Sequence, residues 1–510
     1  MLLRIASALG TRSPTGLLLG GCLLLLAACS PAPSERADRA SAVDRADHPA
    51  AEAADAMEVE APDDDEPVSP GDGGSSPVAG RDDRRDDPPP ADAAAGDASG
   101  PTRPVMDMRA SGPMIHPPRS EGRDPAGVRF VRPEAIRGLY VNAWAAGSSR
   151  RIEELISIAR ETEINAFVID IKDATGYLSH VTSVPLAHEI GATESRRIRD
   201  LAALLDRLQT EQIYPIARIV VVKDPLLVAG RPELAVQDQE GGVWVDGKET
   251  AWLNLFAPDV WGYHVQVARE VAEIGFPEIQ WDYIRFPDAP ASYLERAVFP
   301  GRDGRDRVDA VRGFLAYARE ELADLPVRST ADVFGVTTTA RRDVGIGQVW
   351  ESFIDVVDAA LPMVYPSHYW TGSFGYAEPN AHPYEIVGAA IRDALRRSEP
   401  IEGAGRTRPW LQDFTLGQPP YGQAEVRAQI QATYDAGVQE WVLWNPSSRY
   451  TISALEPVGG FEEEPLIRVA GQLVPVSRRQ LVIDSVATAD SAAMVRPDTV
   501  WIGFMFPGPT

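Results

Sequence analysis

From about Val131 the chain alternates between two textures. Short apolar runs rich in β-branched and aromatic residues give way to longer stretches in which apolar positions return every three to four residues. Eight runs read as strands: GLYVNAW (138–144), INAFVIDIKD (164–173), IYPIARIVVVKD (213–224), EIQWDYIRFP (278–287), STADVFGVT (329–337), AALPMVYPS (359–367), RPWLQDF (408–414) and EWVLWNPS (440–447). The amphipathic stretches between them are RRIEELISIARET, ESRRIRDLAALLDRLQTEQ, APDVWGYHVQVAREVAEIG, DRVDAVRGFLAYAREEL, PYEIVGAAIRDALRRS and AEVRAQIQATYDAG. Gly275 and Gly437 stand where helix C-terminal caps are expected.

Strands alternating with helices predict an α/β protein, a (β/α)8 TIM barrel, over residues 129–455. The span exceeds a minimal barrel, and the excess lies after strand three. There DPLLVAGRPELAVQDQEGGVWVDGKETAWLNLF forms an insertion whose EGG turn predicts a hairpin. The competing doubly wound sheet asks for a Gly-rich first loop, and no G-x-G-x-x-G follows strand one.

The flanking segments have other compositions. Residues 1–29 begin with Arg4 and Arg12, continue through GLLLGGCLLLLAAC and end in Leu26-Ala27-Ala28-Cys29, the order of a secretory signal rather than a membrane span. Cys29 after Leu-Ala-Ala resembles a bacterial lipobox, which implies cleavage before Cys29 and lipidation of it. Ser30, rather than Asp, resembles the outer-membrane sorting pattern. The expected location is therefore the cell envelope, on the periplasmic or surface face. Residues 30–128 are rich in Ala, Asp, Pro, Gly and Ser and nearly free of aromatics, so they read as a disordered acidic linker. Residues 456–510 form a C-terminal extension that reads as further strands against the barrel, with no functional assignment.

Composition narrows the function. The two cysteines are Cys22, within the signal, and Cys29, so disulfides and Cys-ligated metals are excluded from the mature chain. A formal charge of −25 argues against nucleic acid and against anionic membrane surfaces, leaving the lipid as the membrane contact. No P-loop, G-x-S-x-G elbow or H-E-x-x-H motif is present, and no cofactor or metal is expected.

Barrel enzymes carry their chemistry at the C-terminal ends of the strands. Polar and aromatic residues collect there: Lys172, Asp173, Arg218, Asp224, Arg285, Tyr365, His368, Trp410, Trp444 and Asn445, which read as candidate substrate contacts, beside Asn142, Asp170, Asp282, Asp332, Gln412 and Asp413. Lys172 and Lys223, two of the three lysines, each sit beside an aspartate. Carboxylates with aromatic platforms suit glycoside cleavage, in which one carboxyl protonates the leaving oxygen and another attacks carbon or activates water. Strand-end aspartates also cap helices, a role open to Asp173 and Asp224, and Asp413 can cap or pair with arginine. Asp282 stands apart. A carboxylate within an apolar run costs several kcal/mol unless paired or exposed, which marks it as functional.

The segments GLYVNAWAAG, VIDIKDATG, ARIVVVKDP, GGVWVDGKETAWLN and EIGFPEIQWDYIRFP resemble an uncharacterised bacterial family of glycosyl hydrolase domains. That family is assigned to the TIM-barrel glycosidases and is distantly similar to the α-amylase superfamily; the resemblance covers about residues 134–450. It implies Asp282 as nucleophile, Asp332 as acid/base and Asp413 as stabilising carboxylate. Two positions depart from the superfamily pattern: Asp332 replaces the usual Glu, and Gln280 replaces an Arg two residues before the nucleophile. Asp170 and Asp173 therefore stay open as proton donors. The expected protein is a lipid-anchored glycoside hydrolase acting on a polysaccharide, with Lys172 and Arg285 orienting or charge-balancing the carboxylates. Two alternatives are a non-catalytic carbohydrate-binding envelope lipoprotein on the same barrel, and a barrel lyase or hydrolase using Lys172 as base or Schiff-base amine.

Overall fold

The computed structural model describes residues 129–494, with side chains through residue 486. The signal segment, Cys29, the linker and the last residues of the extension lie outside the described residues.

Eight parallel strands overlap the eight apolar runs: β1 (Arg137–Val141), β2 (Ala166–Lys172), β3 (Tyr214–Val220), β4 (Glu278–Asp282), β5 (Arg328–Phe334), β6 (Ala359–Met363), β7 (Trp410–Gln412) and β8 (Trp441–Trp444). They pair in chain order, and β8 closes on β1 with Val442 opposite Gly138. The structure is a closed (β/α)8 TIM barrel. A two-residue strand, Arg406–Thr407, precedes β7 along the edge of β6. Every residue of β2 and β3 is buried, as expected for strands covered on both faces.

The outer layer consists of α1 (Ser149–Glu161), α2 (Leu201–Thr210), α3 (Pro258–Ile274), α4 (Arg307–Glu321), the single-turn α5 (Trp350–Phe353), α6 (Pro383–Ser398) and α7 (Gln423–Asp435). Helix α2 starts later than the pattern ESRRIRDLAALL suggests. Asp200 caps it by accepting from the Ala203 amide, while the Arg197 and Ile198 amides donate to Ser179 O. Local capping and a tertiary backbone bond override the helical periodicity of 194–199. Gly275, at φ 129°, closes α3, a conformation that would strain any other residue.

The insertion after strand three folds as the EGG turn predicts. Asp238 N–H donates to Gly242 O across the turn, and bridges join Gln237 to Val243 and Val245 to Ala251. The insertion packs on the long loop after β4, where Gln237–Asp238 pairs antiparallel with Ala297–Val298. Beyond β8 a hairpin (Leu466–Val469 with Gln472–Pro475) lies against α6 and α7, held by Arg468 on Glu425 at 2.6 Å, and leads to α8 (Arg479–Met494).

The bore is ionic at its N-terminal end. Arg408 donates to Glu278 Oε1 at 2.6 Å and to Glu440 Oε2 at 2.9 Å, and Arg132 reaches Glu440 Oε1 at 2.6 Å. Burial by itself would raise the Glu440 pKa, but Arg408 and Arg132 outweigh it and hold the carboxyl at about 2. A depressed folded-state pKa gives stability that is full above the unfolded value of 4.5 and is lost as pH falls through 2. Chemical denaturation should therefore show about 3 kcal/mol disappearing between pH 5 and pH 2 through this group. Glu440→Gln should be the less stable protein near pH 6 and converge with the parent near pH 2. Parallel pH profiles would refute this account of the network.

Candidate active site

Residues at period two along a barrel strand share a face, so each strand delivers a short column of side chains into the bore. The columns of β2 to β5 meet at Arg218. Its side chain is 1% exposed, and its Nη1 donates to Asp170 Oδ1 at 2.7 Å. Its Nε and Nη2 donate to Asp282 Oδ2 at 2.9 and 2.6 Å, and Nε lies 4.0 Å from Asp332 Oδ2. One guanidinium thus faces carboxyls from three neighbouring strands. The Tyr140 and Trp444 rings, stacked 4.0 Å apart, lie 5.5 and 5.1 Å from the guanidinium carbon. Trp410 stands edge-on to Trp444 at 5.4 Å.

The arrangement replaces a residue the resemblance led one to expect. Gln280 occupies the position where the α-amylase pattern has arginine. Arg218 is its register partner on β3 and serves the same carboxylate from the adjacent strand. Gln280 Nε2 instead donates to Asp332 Oδ2 at 3.0 Å, and Trp410 Nε1 donates to Asp332 Oδ1 at 2.7 Å.

The carboxyls differ in proton affinity. Burial and the facing charge of Asp282 raise Asp332 well above the carboxylate range, with Arg218 opposing. Burial raises Asp170 to about 7 despite Arg218, and the Asp173 charge adds to the shift. The Tyr140 hydroxyl donates to Asp170 Oδ2. Asp282, at the last position of β4, is 5% exposed against 1% for Asp332. Distances through Arg218 Nε bound their Oδ2 atoms to within about 7 Å, a range that admits both retaining and inverting carboxyl pairs. Just past Asp282, Tyr283 adopts φ 50°, a left-handed conformation costing about 1–3 kcal/mol, and its amide donates to Asp282 Oδ1 at 2.6 Å.

The remaining predicted residues fall into separate groups. Asp413 accepts from the Thr451 amide at 2.8 Å and hydroxyl at 2.7 Å, on the β8 loop rather than at Arg218, and burial raises it to about 6. Asn445 fixes that loop, donating to Asp413 O at 2.6 Å and accepting from Ser447. Lys172 and Asp224 lie 2.9 Å apart and fully buried, in a charge contact rather than an aligned hydrogen bond. Lys172 Nζ donates to Val220 O, and Asp224 caps the Pro225–Gly230 helix. The pair is sealed against His264, which burial and then Lys172 push well below the usual histidine range. This placement does not present Lys172 as an amine nucleophile. Asp173 makes an Asx turn with the Thr175 amide rather than a helix cap. Tyr365, His368 and Phe414 pack edge-to-face, and burial lowers His368 to about 4. Arg285 lies over Trp252, Tyr283 and Phe334 at 4.8, 5.0 and 4.6 Å.

Tyr140 and Thr451 are site residues that sequence reasoning missed. Tyr140 carried one signal, its place two residues after inward-facing Gly138 on β1; Thr451 carried none. Among the described residues no group of three or more His, Cys, Asp or Glu is arranged to hold a metal ion.

The chain belongs to the family whose model is described as "Putative glycosyl hydrolase domain", which matches residues 138–450. Among solved structures it is similar to a hypothetical protein from Ruminiclostridium thermocellum, at 38% identity over 38% of this chain and 97% of that one, with a TM-score of 0.35. It is also similar to the PgaB (BpsB) glycoside hydrolase domain from Bordetella bronchiseptica, at 14% identity over 62% and 95% of the two chains, with a TM-score of 0.43. A β-N-acetylhexosaminidase from Bacteroides fragilis matches at 13% identity over 61% and 60%, with a TM-score of 0.39. No curated protein matches the chain.

Removing one partner of a buried ionic cluster leaves the others uncompensated. Arg218→Met should therefore cost about 3–5 kcal/mol in chemical denaturation at pH 8. The loss should shrink toward pH 5, as the stranded carboxyls take up protons. A loss of equal size at both pH values would show that Arg218 acts by packing and not by charge.

Proposed function

We propose that the protein is a lipid-anchored glycoside hydrolase that cleaves O-glycosidic bonds of a polysaccharide with Asp282 and Asp332. The observation that carries this reading is the placement of two carboxyls about Arg218. Asp282, at the end of β4, accepts from two guanidinium N–H groups, while Asp332 lies 4.0 Å from the same guanidinium and is raised by burial and by the facing Asp282 charge. A raised carboxyl beside a second one supplies the two groups that glycoside cleavage needs.

In a retaining reaction an Asp282 oxygen attacks the anomeric carbon as the Asp332 proton passes to the departing glycosidic oxygen. Water then cleaves the glycosyl ester, returning its proton to Asp332. In an inverting reaction Asp282 takes the proton of the attacking water instead. Asp170, held at about 7 and bonded by Tyr140, is the second candidate for the acid. Asp413 supports the mouth from the β7 end.

One observation favours the alternative of a carbohydrate-binding barrel without cleavage. Both Asp332 oxygens are already engaged, by Trp410 and Gln280, and the residue is 1% exposed. Screening bacterial and plant polysaccharides for reducing-end release decides between the two. The hydrolase reading expects release from at least one polymer. It also expects Asp282→Asn to lower kcat/KM at least a hundredfold in a protein that stays folded with a lowered thermal midpoint, since an amide oxygen at this position can still accept from Arg218 and Asp170 keeps its own bond to the guanidinium. Polysaccharide binding with no release supports the binding reading. An Asp282→Asn variant that retains full activity, or that unfolds, sinks the catalytic assignment.

The signal segment ending in Leu26-Ala27-Ala28-Cys29 supports export and anchoring at the outer membrane. Expressed in a bacterial host with an alkyne fatty acid, the full chain should take up label and fractionate with the outer membrane. Cys29→Ser should do neither. An unlabelled parent, or an equally labelled variant, would remove the anchor from the proposal.

A further inference from the structure

Among the described residues, the exposed Trp, Tyr and Phe side chains are Trp144, Trp370 and Tyr293. They stand on the loops that follow β1, β6 and β4, at the C-terminal ends of the strands. Bare aromatic area thus collects on the face of the barrel that holds Asp282.

Trp144 is the most exposed of them, at 56%, and its placement runs against burial. The short helix Ala143–Gly147 reads AWAAG; it buries Ala143, Ala145 and Ala146 and turns its one large apolar residue outward. Burial free energy grows with apolar area and would favour the reverse. The orientation is nevertheless fixed. Asn142 caps the helix by accepting from the Ala145 amide at 2.8 Å, and its Nδ2 donates to Pro446 O on the β8 loop at 2.9 Å.

The indole is also backed on one face. Arg197, on the loop after β2, lays its guanidinium over the ring, with its carbon 3.5 Å from the ring centre. The Arg197 and Ile198 amides donate to Ser179 O at 3.0 and 2.7 Å, and the Ser179 amide donates to Ile171 O in β2 at 2.9 Å. A Cβ at residue 147 would meet Arg197 O at 2.1 Å, so Gly147 is what lets the two loops close on each other. The break in helical periodicity before α2 therefore places this arginine. Among the described residues its guanidinium finds no hydrogen-bond or ion-pair partner, which leaves its N–H donors beside an indole covered on one face. Trp144 is four residues past Tyr140, which bonds Asp170, so the two Cα atoms lie within about 14 Å.

We infer that Trp144 and Arg197 form a sugar-binding subsite on the rim of the mouth. A hexopyranose ring of the polysaccharide lays its apolar C–H face on the open side of the indole, and its hydroxyl oxygens accept from Arg197. On the hydrolase reading of the neighbouring carboxyls, on which this rests, the subsite holds a ring beyond those at Asp282 and Asp332 and selects long chains. A neutral sugar suffices, because the arginine acts as stacking plane and donor and no net charge is required.

The test uses the full chain carrying Asp282→Asn, so that cleavage does not consume the probe. Calorimetry measures binding of xylan, laminarin, glycol chitin and soluble starch, and of the hexasaccharide and disaccharide of each. For at least one polymer the hexasaccharide should bind about tenfold tighter than the disaccharide, the size expected of one added stacking contact. Adding Trp144→Ala should remove that advantage, and Trp144→Tyr, which keeps a flat ring, should preserve most of it. Arg197→Ala should weaken the hexasaccharide in the same direction, and it carries the comparison if Trp144→Ala does not fold. Binding indifferent to chain length, an unchanged hexasaccharide affinity in Trp144→Ala, an equal loss in Trp144→Tyr, or no binding across the panel overturns the inference. Binding through Trp144 by a parent protein that releases no reducing ends keeps the subsite and removes the hydrolase reading alone. Release of reducing ends with an affinity indifferent to Trp144 removes the subsite alone.

Discussion

Arg218 is the interaction on which the C-terminal end of the bore depends. A guanidinium at 1% exposure has given up its hydration, a cost of several kcal/mol that only close, well-directed acceptors offset. Asp170 and Asp282 supply those acceptors from the strands on either side, and Tyr140 and Trp444 close over the cation. The same charge then sets the chemistry of its neighbours. Asp282 receives two of its N–H groups, whereas Asp332, 4.0 Å from Nε, is left to burial and to the repulsion of Asp282. Structural necessity and the proposed division into acid and base thus meet at a single side chain.

The two ends of the bore repeat one device for different purposes. Strand β4 carries Glu278, Gln280 and Asp282 at period two, so one column runs from the N-terminal network to the candidate site. Glu278 meets Arg408, whose other partner Glu440 is joined by Arg132, and no loop of the mouth takes part. At that end each carboxylate is matched by cations, and Glu440 is held far into its charged form. At the other end carboxyls outnumber the shared cation, and two of them are raised. Ionic groups at the N-terminal face of a barrel serve stability, and an unbalanced set at the C-terminal face is what a reaction can use.

Much of this was legible in the sequence, with a physical limit on the rest. The eight strands and the insertion hairpin follow from period and turn chemistry, which are local. That Asp282 sits at the end of a buried strand follows from the run IQWDYIRFP. Periodicity does not fix which side chain meets which across strands, because that depends on register. Arg218 read as a substrate contact; its pairing with Gln280 in the ladder and its reach to Asp282 appear only when β3 and β4 are aligned. The surroundings of Lys172 were hidden for a related reason. It stands at a strand end beside Asp173, yet the irregular register between Asp170 and Lys172 turns it to Asp224 and His264 under the following loops. Depth along the bore is likewise invisible in a one-dimensional pattern, so Glu278 and Asp282 look alike in sequence and serve opposite ends.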